Sequence, residues 1–517
     1  MIVIVHDNIK VVEVFKVEEK EEIPFNKNDS ITSVLIKVSL KNTDSLIIWV
    51  FEPFRKLINL DVMGQIFHHK RIMTSYAVHN EFVISDRIGY VEQTPYTNIR
   101  TEVNYPAWLM SSDIGGMYAE TLNYIVATVS VNKNFDLFLS SLAKHNMPNG
   151  LLCYSNPLLI KTKNISIIRK SKNSNYILFR FVKQHYKPIW VFNLLLCFIL
   201  FEKCLPILPF LLSLFFKQNK MHIDLNPLRF KSSLKVIEDK TIDVIIPTIG
   251  RKDGLYNVLK DLSKQTYLPK HVIIVEQNPL QNSKTELDYL TNESWPFKIT
   301  HKFIHKTGAC NARNLAFNFV MSEWVLLGDD DIRFDADLLE RFFKSIESLG
   351  VKVAACMCIQ PLETSSYLKT NQTDIFGSGN SIIKSNLLSK VTFDNAFEFG
   401  YGEDSDFGMQ LRALGNDVLY LPEVKMTHLK LPFGGFRTKR SFSWEKDDIQ
   451  PKPSPTIMIF IKKHYNVFQE NGYKYVMFLK FYKEQSIRNP FRYLKQMQLQ
   501  WRRSEFYSEE LIKKKYA

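Results

Sequence analysis

The sequence has 517 residues, of which 45% are hydrophobic and 23% charged, with a formal net charge of +14. That length allows two to four domains at roughly 100 to 200 residues each, and the composition excludes collagen-like, low-complexity and disordered chains. The basic excess raises nucleic acid, an anionic membrane and anionic substrates as partners. It is confined to two stretches: residues 161–240 hold 15 Lys/Arg against 4 Asp/Glu and residues 451–517 hold 14 against 5, while 1–160 and 241–450 are each net −3.

The N-terminus, MIVIVHDNIKVVEVF, lacks the basic start and apolar core of a signal peptide and reads as a first strand. Residues 1–165 alternate apolar runs such as SLIIWVFE and YIVATVSV with amphipathic segments such as NFDLFLSSLAKH, which predicts an α/β domain whose role the residues do not disclose. His68-His69 and Asp113-Ile-Gly-Gly read as ordinary surface turns rather than ligand sites. The six cysteines are too scattered for a disulfide framework, and Cys356 and Cys358 lie in the apolar run VAACMCI as buried thiols of a strand. A reducing, cytosolic compartment is expected.

Residues 166–239 read as a basic linker around the longest apolar stretch, PIWVFNLLLCFILFEKCLPILPFLLSLFF (188–216). Glu202-Lys203 divides it, and Pro206 and Pro209 interrupt helical hydrogen bonding. The first half, thirteen residues from Ile189 to Phe201, reaches about 20 Å as a helix, short of a hydrocarbon core of about 30 Å. Arg169, Lys170, Lys172, Arg180, Lys183 and Lys187 precede it, and Lys217, Lys220, Arg229, Lys231 and Lys235 follow. Positive flanks on both sides favour a hairpin lying in or re-entering the membrane surface, with both flanking domains on the cytoplasmic side; a hairpin buried in a soluble core is the alternative.

Residues 240–435 carry the clearest pattern. TIDVIIP (241–247), HVIIVE (271–276), KITHKFI (298–304) and EWVLLG (323–328) read as strands. Between and after them, Leu255, Val258, Leu259 and Leu262, then GACNARNLAFNFVM (308–321) and DADLLERFFKSIESL (335–349), read as helices. The alternation predicts a parallel, nucleotide-binding type of sheet with its ligand at the carboxyl ends of the strands. Directly after EWVLLG stands Asp329-Asp330-Asp331. Three adjacent carboxylates repel one another unless exposed or neutralised, so a divalent cation bridging to a diphosphate and a solvated acidic turn are both open. A second cluster, Glu403, Asp404 and Asp406 in GYGEDSDFGMQLRALG (400–415), precedes an amphipathic helix. Capping explains one of these anions; a carboxylate beside a bound sugar also suits a general base.

Over about 241–430 the sequence resembles a family 2 glycosyltransferase domain of the GT-A fold, the nucleotide-diphospho-sugar transferase type. DVIIPTIGR (243–251) resembles the first strand and loop, which implies donor contacts from Pro247, Thr248 and Arg251. HVIIVEQN (271–278) resembles the second strand, with Glu276 where the family usually has Asp. TGACNARNLA (307–316) resembles the small-residue helix, leaving Arg313 to contact phosphate or to brace Asp329. The triplet resembles the DXD motif, which implies a divalent metal, Mn²⁺ or Mg²⁺, on Asp329 and Asp331, joined by His428 of KMTHLK, and a ribose-orienting or supporting Asp330. FGSGNSIIKS (376–385) resembles the acceptor side, implying Gly379, Asn380 and Asp406 there. GYGEDSDFGMQLRALG resembles the motif whose Asp is the base, implying Asp404, with Glu403 as the alternative.

Residues 436–517 interleave aromatic and basic residues, as in YKYVMFLKFYK and NPFRYLKQMQLQWRR, and read as a helical extension. Attachment to an anionic membrane surface is favoured over packing on the catalytic core and over single-stranded nucleic acid. The resemblance implies a hexosyltransferase-type enzyme at the inner, cytoplasmic face of the membrane. It would invert configuration while moving a sugar from a nucleotide donor, a UDP-sugar first, to a glycan or lipid-linked acceptor in polysaccharide biosynthesis. The alternative is a non-catalytic nucleotide-sugar-binding protein of an assembly complex.

Overall fold

In the computed structural model, which describes residues 1–162, 174–225, 227–365, 367–432 and 442–516, with the backbone alone for 514–516, the chain divides into two units. The first comprises Met1–Leu234, Ala413–Gly415 and Tyr465–Leu479; the second comprises Lys235–Arg412, Asn416–His464 and Lys480–Ala517.

The first unit is built on strands β1 (Ile2–His6), β2 (Val11–Lys16), β3 (Leu46–Phe51), β4 (Ile72–Tyr76), β5 (Tyr105–Pro106), β6 (Ile114–Tyr118) and β7 (Leu152–Ser155), in the order β2-β1-β3-β6-β4-β7-β5. All five residues of β1 and the first five of β3 are buried, as continuous β-branched runs require when both sheet faces are covered. Ser30 and Asn134 cap the helices Ile31–Lys41 and Phe135–Asn146 by accepting from the backbone N–H three residues on. His68 hydrogen-bonds Ser232, His69 is buried, and Asp113 accepts the Val78 N–H, so neither motif opens a site. All six cysteines are free thiols.

The described residues of the expected linker up to Leu234 fall in this unit. Phe179, Phe181 and Val182 of the helix Asn175–His185, then Val191, Leu194, Cys197 and Phe198, then Leu225 and Leu228 all enter its core. The apolar stretch forms a helix Ile189–Cys197, a π turn Phe198–Glu202, a reversal at Lys203 with φ 53°, and a second helix Ile207–Ser213. Among the described residues no helix is long and apolar enough to cross a membrane. Arg169, Lys170 and Lys172 lie outside the described residues. The C-terminal extension is helical, as Pro455–His464, Val467–Tyr482 and Pro490–Tyr516. It is shared between units, because Gln469 donates to the carbonyls of Glu92 and Thr94 while Trp501 and Met497 are buried in the second unit.

The second unit carries β8 (Ile242–Thr248), β9 (His271–Gln277), β10 (Lys298–Ile304), β11 (Trp324–Gly328), β12 (Ile332–Phe334), β13 (Val353–Ile359), β14 (Asn371–Gln372), β15 (Asn380–Lys384) and β16 (Leu419–His428). Their order is β10-β9-β8-β11-β15-β13-β16-β12, with β14 on β16. The first four strands are parallel, as the β/α alternation predicts. The sheet as a whole is mixed: β15 runs antiparallel to β11 and β13, and β12 antiparallel to β16. Gly377, at φ 74°, turns the chain back into β15, a conformation glycine adopts without a Cβ clash. Cys356 is buried on β13; Cys358 is half-buried, and burial pushes its thiol up to about 12.

Candidate active site

The strands β8, β9 and β11 end along one edge of the second unit's sheet, where a cavity of about 510 Å³ opens. Strand β11 is apolar and buried through Gly328, and the chain then turns through the triplet, sending its three carboxylates in different directions. Asp329 faces the cavity, and Arg313 donates to it at 2.7 Å. Asp330 points inward to Thr248 Oγ1 and Arg251 Nη1, both at 2.7 Å. Asp331 lies 3.0 Å from Arg251 Nη1 and 3.2 Å from His428 Nε2. Strand pairing explains the last contact, because Ile332 on β12 stands opposite His428 on β16. The repulsion evident in the sequence is therefore relieved by protein cations, one by one.

Burial pushes Asp330 up to about 6, partly offset by Arg251 and Thr248. Burial opposes the charge of Asp331 too, but His428 and Arg251 hold its carboxyl below the usual range. The hydrogen bond to Asp331 in turn raises His428. Gly379 makes room for the triplet: a Cβ there would stand 2.1 Å from Asp329 Oδ2.

Two acids of the second cluster line the same cavity. Gly402, at φ 108°, turns the chain into the helix Glu403–Ala413, whose first residues Glu403 and Asp404 both line the cavity. Ser378 N–H donates to Asp404 at 3.1 Å. Burial raises Asp404 above the ordinary carboxylate range despite Ser378 and Arg313, and burial together with the neighbouring Asp404 pushes Glu403 up to about 7. Arg313 is only 5% exposed and serves both clusters: burial works against its charge, while Asp329 and then Asp404 hold its proton more firmly.

Of the residues expected at the site, Pro247, Thr248, Arg251, Arg313, Asp329, Asp330, Asp331, Gly379, Asn380, Glu403, Asp404 and His428 line this one cavity. Two expected residues lie outside its lining. Glu276 turns away to His301 and Thr285, because successive residues of a strand face opposite sides and Gln277 takes the cavity side. Asp406, expected on the acceptor side, lies about 200° around the helix from Asp404. It is buried against Lys463 Nζ at 2.8 Å and His464 Nε2 at 2.7 Å, so it anchors the helix Pro455–His464.

Glu398 lines the cavity without having been singled out in the sequence. It accepts the N–H groups of Cys310 and Asn311 and so caps the helix Ala309–Phe317 that carries Arg313. Gly308 admits it, at φ 139°, where a Cβ would lie 2.3 Å from the carboxyl carbon. A lone Glu fourteen residues after the end of β15 carries no periodic signal. The glycine before the Ala-Arg-Asn helix was the available sign of a close approach.

Among the described residues no three His, Cys, Asp or Glu side chains gather as a metal-holding group. The pair Asp331 and His428, 3.2 Å apart on the cavity wall, does fit as two neighbouring donors of a hard cation that completes its shell with phosphate oxygens and water. Asp329 lines the same cavity with one oxygen on Arg313.

Residues 243–402 match the model of Glycosyl transferase family 2. Glycosyltransferase GlyG of Streptococcus pneumoniae serotype 4 is 18% identical over 236 residues, 40% of this chain and 77% of GlyG. Crystal structures of TarS from S. aureus also align. TarS 1–349 in complex with UDP-GlcNAc has a TM-score of 0.35 and 18% identity, covering 51% of this chain and 79% of that one. TarS 1–349 alone has a TM-score of 0.31 and 19% identity over 37% of this chain, which spans 60% of that structure. The family match runs from the first residues of β8 through the acidic triplet, so the chain carries a family 2 glycosyltransferase domain of α/β fold and is a transferase.

Proposed function

We propose that the second unit transfers a sugar from a nucleoside-diphosphate donor to a hydroxyl of a glycan or lipid-linked acceptor, by a single displacement that inverts the anomeric carbon. The observation that carries this reading is the division of labour across one cavity. Arg251, Arg313, His428 and Lys430 line it together with the triplet and with Glu403 and Asp404. Cations positioned in advance lower the barrier most where negative charge develops, here the leaving diphosphate. A carboxylate with a raised pKa suits a base that takes the acceptor proton near neutral pH.

In this reading the donor diphosphate lies along Arg251 and Arg313, with Thr248 and Pro247 against the nucleotide. Asp404, held by Ser378 N–H, accepts the proton of the acceptor hydroxyl as its oxygen attacks the anomeric carbon and the bond to the diphosphate breaks. Glu403 beside it keeps that pair's proton affinity high, and Arg313 stabilises the ionised form. A divalent cation, Mn²⁺ or Mg²⁺, held by Asp331 and His428 would supply Lewis-acid neutralisation of the diphosphate when bound.

The test is mass-spectrometric measurement of donor consumption over a panel of nucleotide sugars with Mn²⁺ or Mg²⁺, a UDP-sugar being the expected substrate. Binding of a nucleotide sugar with no consumption, with and without candidate glycan and lipid-linked acceptors, would replace this reading by that of a non-catalytic subunit of a polysaccharide-synthesis complex.

A further inference from the structure

The apolar stretch of the first unit has two unlike faces. Val191, Leu194, Cys197 and Phe198 enter the core, while Ile189, Phe192, Leu196, Ile199 and Leu200 are exposed at intervals of three and four residues along the opposite side. The second helix continues the exposed side with Ile207, Leu208, Leu211, Leu212, Leu214 and Phe215, the last 84% exposed. A contiguous apolar surface of this kind is rare on a soluble monomer and marks an interaction site.

Charge identifies the occupant. From Lys187 to Lys220 the chain has four lysines, Lys187, Lys203, Lys217 and Lys220, all exposed, at the start, the turn and the end of the helix pair. Arg180 adds a guanidinium over the Phe216 ring at 4.4 Å. The one acid of that segment, Glu202, is turned into the unit, where Arg87 Nε donates at 2.8 Å and the Tyr90 hydroxyl at 3.2 Å. The exposed side is thus apolar with a positive rim and its single acid neutralised internally. A second copy of the chain would bring the same lysines to the same rim, so like charges oppose self-association.

We propose that this helix pair is a monotopic membrane anchor. It lies in the plane of a bilayer with Leu208, Leu211 and Phe215 in the acyl boundary and its lysines on anionic headgroups, as on the cytoplasmic leaflet. Its helices are too short to cross, and its inner face is already committed to the unit's core.

The experiment is flotation of the full chain with vesicles of phosphatidylcholine alone or with about one third phosphatidylglycerol. The chain is expected to float with the anionic vesicles at least tenfold better than with the neutral ones, and to lose much of that preference in about 1 M salt, where the Debye length falls to about 3 Å. The double substitution Leu208→Glu and Leu211→Glu, at exposed positions outside the lining of the cavity, should abolish flotation while leaving the oligomeric state and thermal unfolding unchanged. Lys203→Glu with Lys217→Glu should remove the preference for anionic vesicles. Flotation that survives the leucine substitutions, or its absence from both kinds of vesicle, overturns the proposal. So does a wild-type oligomer that the leucine substitutions dissolve, which would make a second copy the occupant.

Discussion

The two acidic clusters of the second unit look alike in sequence and are treated oppositely by the fold. Each carboxylate of Asp329-Asp330-Asp331 has a cationic partner within hydrogen-bonding or ion-pair distance, and Asp331 is held ionised. Glu403 and Asp404 stand half-buried side by side with Arg313 as their attractive charge, and both are raised. The first arrangement matches each carboxylate to a cation, although burial still raises Asp330, and suits binding a diphosphate. The second keeps a proton close to exchange at neutral pH, as suits moving one. The number of carboxylates says little about what a cluster does; the number of cations facing it says more.

The contrast is broken most severely at Asp404. Asp404→Asn removes the proposed proton acceptor and is expected to lower kcat by about 10² to 10⁴-fold, with donor binding by calorimetry unchanged. Asp406→Ala, two residues on, is expected to act on stability: it removes the buried carboxylate shared by Lys463 and His464, while Lys463 keeps Asp394, at a cost of about 1 to 3 kcal/mol in denaturant unfolding. Asp331→Asn is expected to weaken Mn²⁺ activation by about 10- to 100-fold in a titration of activity against metal, with little change in folding, because Arg251 retains Asp330. The smallest effect is expected from Glu403→Gln on stability. The native pKa of Glu403 is raised above its unfolded value, so the carboxyl favours folding least once it must ionise. Its cost is absent below about pH 4.5 and complete above about 7. Glu403→Gln should therefore be more stable than wild type by about 1 to 3 kcal/mol at pH 8 and equal to it at pH 4, measured by urea unfolding.

Much of the catalytic unit was legible because its signals are local. The β-branched runs of β8, β9 and β11 are buried in parallel register, and a triplet of acids after one of them stands at the strand-end cavity. What failed was direction. Whether Glu276 or Gln277 faces the cavity depends on the pleat phase at the last residue of β9, and whether Asp406 joins Asp404 depends on helical rotation over two residues. The cap by Glu398 joins residues about ninety apart and leaves no pattern except Gly308. The apolar stretch was legible as a helix pair and as too short to span. Its membership of the first unit was not, because the core it enters is assembled from strands and helices that reach back to Ile2.

The pH dependence of kcat/KM for sugar transfer is the most direct test of the assignment of the proton to the Glu403–Asp404 pair. The rate should rise about tenfold per pH unit through the acid range and level off above the ordinary carboxylate range, since Asp404, raised by burial, must ionise to act. In the residual activity of Asp404→Asn that limb should be absent, because the group that titrates is gone. A wild-type profile that is flat across the acid range, or a limb that survives in Asp404→Asn, would contradict it.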